Sequence, residues 1–111
     1  MKRGEIYYAD LSPTLGAEIN KKRPVLIVSC DANNRAAETV TVLPITSSTT
    51  RIYPFEVFLK PQESGLPKPS KAQAQQIRTI SKERISGQAQ GCLDRARLAA
   101  IDAALRIHLS L

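Results

Sequence analysis

This sequence predicts a mainly β protein finished by one C-terminal helix, and three observations carry that prediction. Short segments rich in Ile, Val, Tyr, Phe and Thr recur between Glu5 and Gly87, the composition of half-buried strands. Pro, Gly, Asn and Ser punctuate the intervals between them, as turns require. Beyond Asp94 the apolar residues fall three or four apart, at Leu98, Ile101, Leu105 and Leu109, with Ala99, Ala100, Ala103 and Ala104 between, which marks one face of a helix. Five to seven short strands followed by one helix suggest a small twisted barrel closed by that helix. With 111 residues, no internal repeat and no low-complexity stretch, the chain reads as a single domain over 1–111 with a modest core.

The elements follow in order. Glu5 to Leu11 is β-rich and precedes turn formers, so it is the first strand. Ser12 to Lys22 is a loop, punctuated by Pro13, Gly16 and Asn20. Pro24 to Ser29 is a second strand, apolar on both faces and therefore central. Asp31 to Arg35 is a turn or a short helical crossing. Thr39 to Ile45 is a β-branched third strand, and Thr46 to Thr50 a hydroxyl-rich loop. Phe55 to Leu59 alternates, with Phe55, Val57 and Leu59 on one face and Glu56 and Phe58 on the other. Pro61 to Ser70 is a loop, Gln73 to Ile80 a weak fifth strand, and Ile85 to Gly87 a short further one. Asp94 is an N-cap for a helix over Arg95 to Leu109, whose apolar stripe packs on the sheet.

The segment from Lys22 to Val28 is the most informative. Pro24 disfavours helical backbone at Arg23 and suits the first position of a strand, where its missing N–H costs least. A guanidinium is thereby held at the mouth of a rigid strand, facing a loop. Arg offers a fixed fork of donors and stays charged, which suits a phosphate. By itself the pattern better fits an ordinary basic residue at a strand end, paired with a carboxylate or solvated.

Sixteen Lys and Arg against ten Asp and Glu give a net charge of +6. That suits a polyanionic partner, with RNA, DNA and an acidic protein all open, although solubility alone can explain a basic chain. Aromatics are few: Tyr7, Tyr8, Tyr53, Phe55 and Phe58, and no Trp. Broad base stacking of the kind an RNA-recognition sheet uses is not expected. Cys30 and Cys92 form no CxxC and have no metal-type His spacing, so they read as two reduced thiols in a cytosolic protein rather than as a zinc site; a disulfide between them stays open. No apolar signal core follows Met1 to Gly4, and the longest aliphatic run, Val25 to Val28, is too short to span a bilayer. A soluble, cytoplasmic protein without a membrane partner is expected.

Little conventional catalytic equipment is present. The single histidine, His108, lies near the helix end, where it suits the helix dipole. A mechanism using two histidines is therefore ruled out, and no Ser-His-Asp set, Walker loop, GxGxxG or carboxylate cluster appears. Any catalysis must run on Arg, hydroxyls and amides. RNA cleavage can. Its nucleophile is the substrate's own 2′-hydroxyl, and the enzyme need only orient it, help remove its proton and stabilise charge on the phosphoryl oxygens. DNA lacks that hydroxyl.

At this point the chain resembles a known family. Arg3-Gly4-Glu5-Ile6-Tyr7, then Gly16-Ala17-Glu18 ahead of Arg23-Pro24-Val25-Leu26-Ile27-Val28, then Pro44-Ile45-Thr46-Ser47, Tyr53-Pro54-Phe55-Glu56-Val57 and Gln75-Gln76-Ile77-Arg78-Thr79-Ile80 stand in the order and at the spacing of the MazF/PemK toxin endoribonucleases. Each piece is weak alone; together they are specific and cover nearly the whole chain. The resemblance implies an SH3-like barrel of the MazF/PemK/CcdB type that forms a homodimer. It implies a cofactor-free, metal-independent ribonuclease of a type II toxin–antitoxin system, cutting single-stranded mRNA at short sequences to 2′,3′-cyclic phosphate and 5′-hydroxyl ends. Family active-site positions map onto Arg23 and Thr46, with Glu18 and Ser47 close by. The Ser12 to Lys22 loop corresponds to a mobile loop beside the RNA groove, which an antitoxin with an acidic disordered tail would occupy.

The residues' own chemistry agrees with these roles. Arg23 is a phosphate clamp and transition-state stabiliser, and Thr46 a hydroxyl donor at a strand end, though a loop-start hydroxyl also caps turns. Glu18 could accept from a base or orient Arg23, or simply be a solvated loop carboxylate. One departure matters: many relatives carry a carboxylate where this chain has Gln75, which cannot take a proton. Gln75 can still read a base edge or hold a phosphate, and Arg78 is a further RNA contact or a strand-end ion pair. A non-catalytic RNA- or peptide-binding module of the same fold and a CcdB-type gyrase poison are the competing readings, and the Arg23-Pro24 and Thr46-Ser47 pieces favour the ribonuclease.

Overall fold

Alternation of apolar residues dictates the layering of this molecule. A computed structural model of the chain describes residues 1–13, 15–18 and 21–111. Its strands are β1 (Glu5–Asp10), β2 (Lys22–Ile27), β3 (Thr39–Thr46), β4 (Glu56–Leu59), β5 (Ser70–Gln73), β6 (Arg78–Ser81) and β7 (Ile85–Cys92). Its helices are α1 (Asp31–Ala36), α2 (Pro61–Ser64) and α3 (Arg95–Leu109). Among the described residues the strands make one seven-stranded antiparallel sheet in the order β4-β5-β3-β2-β1-β7, with β6 also on β3.

The sheet is mainly antiparallel β with a C-terminal helix, as expected, but it is not closed. Among the described residues its ends, β4 and β7, do not pair with each other, so closure of the barrel is corrected to an open sheet. Pairing of terminal strands is a non-local event that the local pattern does not encode.

β2 is central, between β1 and β3, and both its faces are buried. Val25 and Ile27 join Ala9, Leu11, Val40, Val42 and Ile80 in one core on one face of the sheet. Leu26 points the other way, into a second core with Ile6, Leu43, Ile45, Val57, Leu59, Ile101 and Ala104. That second core sits between the sheet and α3. The helix starts where the sequence indicated, because the Asp94 carboxylate accepts from Arg97 N–H at 2.8 Å.

Three expectations are revised. The stretch Gln73 to Ile80 is not one strand: β5 and β6 both pair with β3 but are separated by a tight helical turn at Ala74–Gln76. The last strand is longer than Ile85 to Gly87, because pairing with β1 carries it on to Cys92 despite its exposed, strand-poor sequence. The Pro61 to Ser70 loop contains α2, which Pro61 opens, the Glu63 carboxylate caps through Lys60 N–H at 2.9 Å, and Gly65 ends at φ 78°. Gly65 and Gly91 also let the two backbones meet: a Cβ on Gly65 would lie 2.1 Å from the Gln90 carbonyl. Cys30 and Cys92 are free, exposed thiols. No described helix is long and apolar enough to cross a membrane.

Candidate active site

Antiparallel pairing of Val25 with Pro44 puts the start of β2, with Arg23, beside the end of β3, with Thr46. A cavity of about 150 Å³ opens there. Arg23, Ser47, Lys68 and Tyr8 line it, over a floor that includes Pro24, Ile45 and Leu66. Its volume is below the roughly 300–1,000 Å³ of sites that engulf a drug-sized ligand. A phosphate and its sugar fit; a run of nucleotides must lie across the surface outside.

Arg23 is half-buried in the wall of this cavity. The Thr46 hydroxyl accepts from Ser48 N–H at 3.2 Å, which caps the turn leaving β3. An accepting hydroxyl keeps its own proton to donate. The capping role and a phosphate-facing role are therefore compatible.

The remaining sequence-derived residues divide. Ser47 is exposed in the cavity wall. Glu18 is not among the lining residues: its carboxylate accepts from Leu15 N–H at 2.9 Å and closes its own turn. The Ser12 to Lys22 loop includes positions 14, 19 and 20, which lie outside the described residues. Arg78 is half-buried on β6 and donates to the Leu11 carbonyl at 3.3 Å, holding β6 against the end of β1. His108 is exposed, its ring tilted against Phe55 with centroids 6.3 Å apart.

Gln75 is drawn elsewhere. Its Nε2 donates to Glu56 Oε2 at 2.7 Å, and Glu56 is the centre of a buried cluster. The Glu56 side chain is only 1% exposed. Among the described residues it accepts from Lys71 Nζ at 2.9 Å, Gln73 Nε2 at 3.2 Å, Gln75 Nε2 and Tyr53 N–H at 2.9 Å. Burial pushes the carboxyl up toward its neutral form, but the Tyr53, Gln75, Lys71 and Gln73 hydrogen bonds outweigh it and hold the group below its ordinary value. Lys71 also donates to the Arg51 carbonyl at 2.7 Å. The buried Oε1 atoms of Gln73 and Gln75 have no hydrogen-bond partner among the described residues.

Glu56, Lys71, Lys68 and Tyr8 were not singled out by sequence. Alternation put Glu56 and Phe58 on the face opposite Phe55, Val57 and Leu59. Tyr53 N–H and, through Lys71, the Arg51 carbonyl close around Glu56, while Phe58 on the same face stays exposed. A charged residue alternating with apolar ones was the available signal, and Lys71, the ladder neighbour of both Thr46 and Phe58, was its missing partner. Among the described residues, no group of three or more His, Cys, Asp or Glu side chains gathers as a metal site.

A family profile described as PemK-like, MazF-like toxin of type II toxin-antitoxin system matches residues 2–109. Endoribonuclease MazF9 of Mycobacterium tuberculosis is 43% identical over 116 residues, covering 100% of this chain and 98% of the relative. Endoribonuclease EndoA of Bacillus subtilis is 37% identical over 112 residues, covering 100% and 96%. Among solved structures, an endoribonuclease in complex with its cognate antitoxin from a mycobacterial species superposes with a TM-score of 0.82 at 30% identity, covering 100% of this chain and 96% of that one.

Proposed function

The chain belongs to the PemK-like, MazF-like toxins of type II toxin–antitoxin systems, and we propose that Arg23 and Thr46 carry its chemistry at the strand-end cavity. It is an endoribonuclease, and its substrate is single-stranded RNA. The observation that supports this placement is the meeting of Arg23 and Ser47 in one small cavity beside Thr46.

The scissile phosphate sits in the cavity with its non-bridging oxygens toward Arg23. The 2′-oxygen attacks phosphorus as its proton passes to water, the O2′–P bond forms, and the P–O5′ bond breaks. The 5′-oxygen takes a proton from water, leaving a 2′,3′-cyclic phosphate and a 5′-hydroxyl. Arg23 stabilises the charge that grows on the phosphoryl oxygens, and Thr46 donates to the same group. Ser47, Glu18 and Arg78 contact the RNA on either side. Gln75 reaches RNA with its second amide N–H, since its other N–H is held by Glu56 and its oxygen is buried.

The nucleophile belongs to the substrate, so this mechanism asks for no metal or other cofactor. The working form is a homodimer in the cytoplasm, with a cognate antitoxin whose acidic tail competes with RNA for the positive groove. The test is to incubate the pure protein with long single-stranded RNA in excess EDTA and analyse the ends. Cleavage at defined positions leaving cyclic phosphates is expected. Cleavage that stops with chelator and returns with magnesium, or binding without cleavage, would overturn the mechanism.

A further inference from the structure

We propose that Arg51 and Tyr53 form a stacking platform for an unpaired base of the RNA strand, a reading that rests on RNA being the substrate. The Tyr53 ring stacks on Phe55, with centroids 5.3 Å apart and planes 4° from parallel. On Tyr53 lies the Arg51 guanidinium, its central carbon 5.1 Å from the ring centroid. Arg51 Nη1 also donates to the Tyr53 hydroxyl at 3.3 Å. The column is open to solvent: Tyr53 and neighbouring Ile52 are each 40% exposed, and Arg51 is exposed.

What sets this surface apart is its support. Lys71 and Glu56 are a buried ion pair, and their bonds to the Arg51 carbonyl and to Tyr53 N–H pin the two platform residues. Such a pair returns little net stability, because desolvation offsets the attraction. It does fix geometry. A platform held in place before binding loses little entropy when a base arrives.

Location and charge select the occupant. The cavity at Arg23 has room for a phosphate and sugar, so neighbouring bases must rest elsewhere. The segment carrying Arg51 and Tyr53 leaves β3 at Thr46 and Ser47. Lys71, the ladder partner of Thr46, brings its ammonium within 6.0 Å of the Tyr53 centroid. The column offers stacking to the base, and its exposed Arg51 guanidinium offers attraction to the next phosphate, the pairing that holds single strands without strict sequence preference.

The experiment measures binding of a labelled single-stranded RNA that carries a 2′-deoxy nucleotide at the mapped cut site, in a series of lengths. Tyr53→Ala is expected to raise the Kd for long RNA by roughly tenfold, within the range of one lost base stack. The loss should shrink on RNA trimmed to the cut site. Tyr53→Phe, which keeps the ring, recovers most of the affinity. Arg51→Ala, at an exposed position that cannot disturb the core, should weaken binding too, and should flatten the logarithmic salt dependence by roughly 0.7. With cleavable RNA, KM should rise more than kcat falls.

Folded Tyr53→Ala and Arg51→Ala proteins that bind every RNA as the wild type does would overturn the platform. So would a loss confined to binding of the acidic antitoxin, which would assign the surface to that protein. The binding arm is independent of catalysis: a wild type that binds RNA without cutting it defeats the mechanism above, while the platform still stands or falls on these Kd values.

Discussion

Arg23 and Glu56 are both charged side chains on strands of one sheet, Arg23 on central β2 and Glu56 on terminal β4, and their surroundings are opposite. Arg23 stands half-buried in the wall of an open cavity, at a strand end, among side chains that leave space for a ligand. Glu56 is sealed, with its oxygens taken by Tyr53 N–H, Lys71, Gln73 and Gln75. The difference teaches where each charge acts. Arg23 borders open space. Glu56, surrounded by donors, acts on the protein itself, fixing Tyr53 directly, Arg51 through Lys71, and the turn that carries Gln75.

The comparison breaks hardest at Lys71. Replacing it with Met should leave a buried carboxylate without its counter-charge and cost about 3–5 kcal/mol in unfolding free energy, measured by denaturant titration. Adding Glu56→Leu to Lys71→Met should recover part of that loss, and no more, because Tyr53 N–H, Gln73 and Gln75 would still lack their acceptor. A fully stable single variant would mean the pair is not buried in solution.

Arg23→Ala should do the reverse: little change in stability, and a cleavage rate lower by on the order of a hundredfold or more, the usual loss when one preorganised donor to a developing oxyanion is removed. Thr46→Ala should cost less. Folded Arg23→Ala with near-native turnover would remove Arg23 from the mechanism.

A smaller effect concerns pH. The Glu56 carboxyl titrates below its ordinary value of 4.5 in the folded protein. Its contribution to stability is thus fully present above that ordinary value and is lost as pH falls through the lowered one. Thermal melts of wild type and Glu56→Gln should diverge least in strong acid and most above about pH 5, as the linkage sign requires. Parallel curves across that range would contradict the assignment.

The smallest effect serves as the control. Arg3 and Asp102 also form an ion pair, but their side chains are 29% and 41% exposed. Asp102→Ala should cost no more than about 1 kcal/mol, and the cost should fade as salt rises. A loss as large as that of Lys71→Met would erase the distinction between sealed and open charges.

By itself the sequence determined those features whose causes are local. Pro24 and the aliphatic run after it set β2, and the absence of polar positions on either face made that strand central. Asp94 and the spacing of Leu98, Ile101 and Leu105 set α3. The order of the pieces around Arg23 and Thr46 carried the family, and with it both strand-end positions. Tertiary structure decided what depends on partners distant in the chain. β7 runs through a poor strand sequence because β1 pairs with it at both ends, at Ile85 and Ser86 and again at Gly91 and Cys92, across a register shift. The segment from Gln73 to Ile80 breaks in two because each half follows β3 while the turn between them turns the Gln75 amide toward Glu56. Closure of the sheet was equally undetermined, since whether β4 meets β7 depends on curvature summed over every strand between them. Glu56 shows the reason most directly. Alternation fixes which face of a strand a residue occupies, and only the folded chain fixes whether that face meets water or, as here, a lysine fifteen residues away.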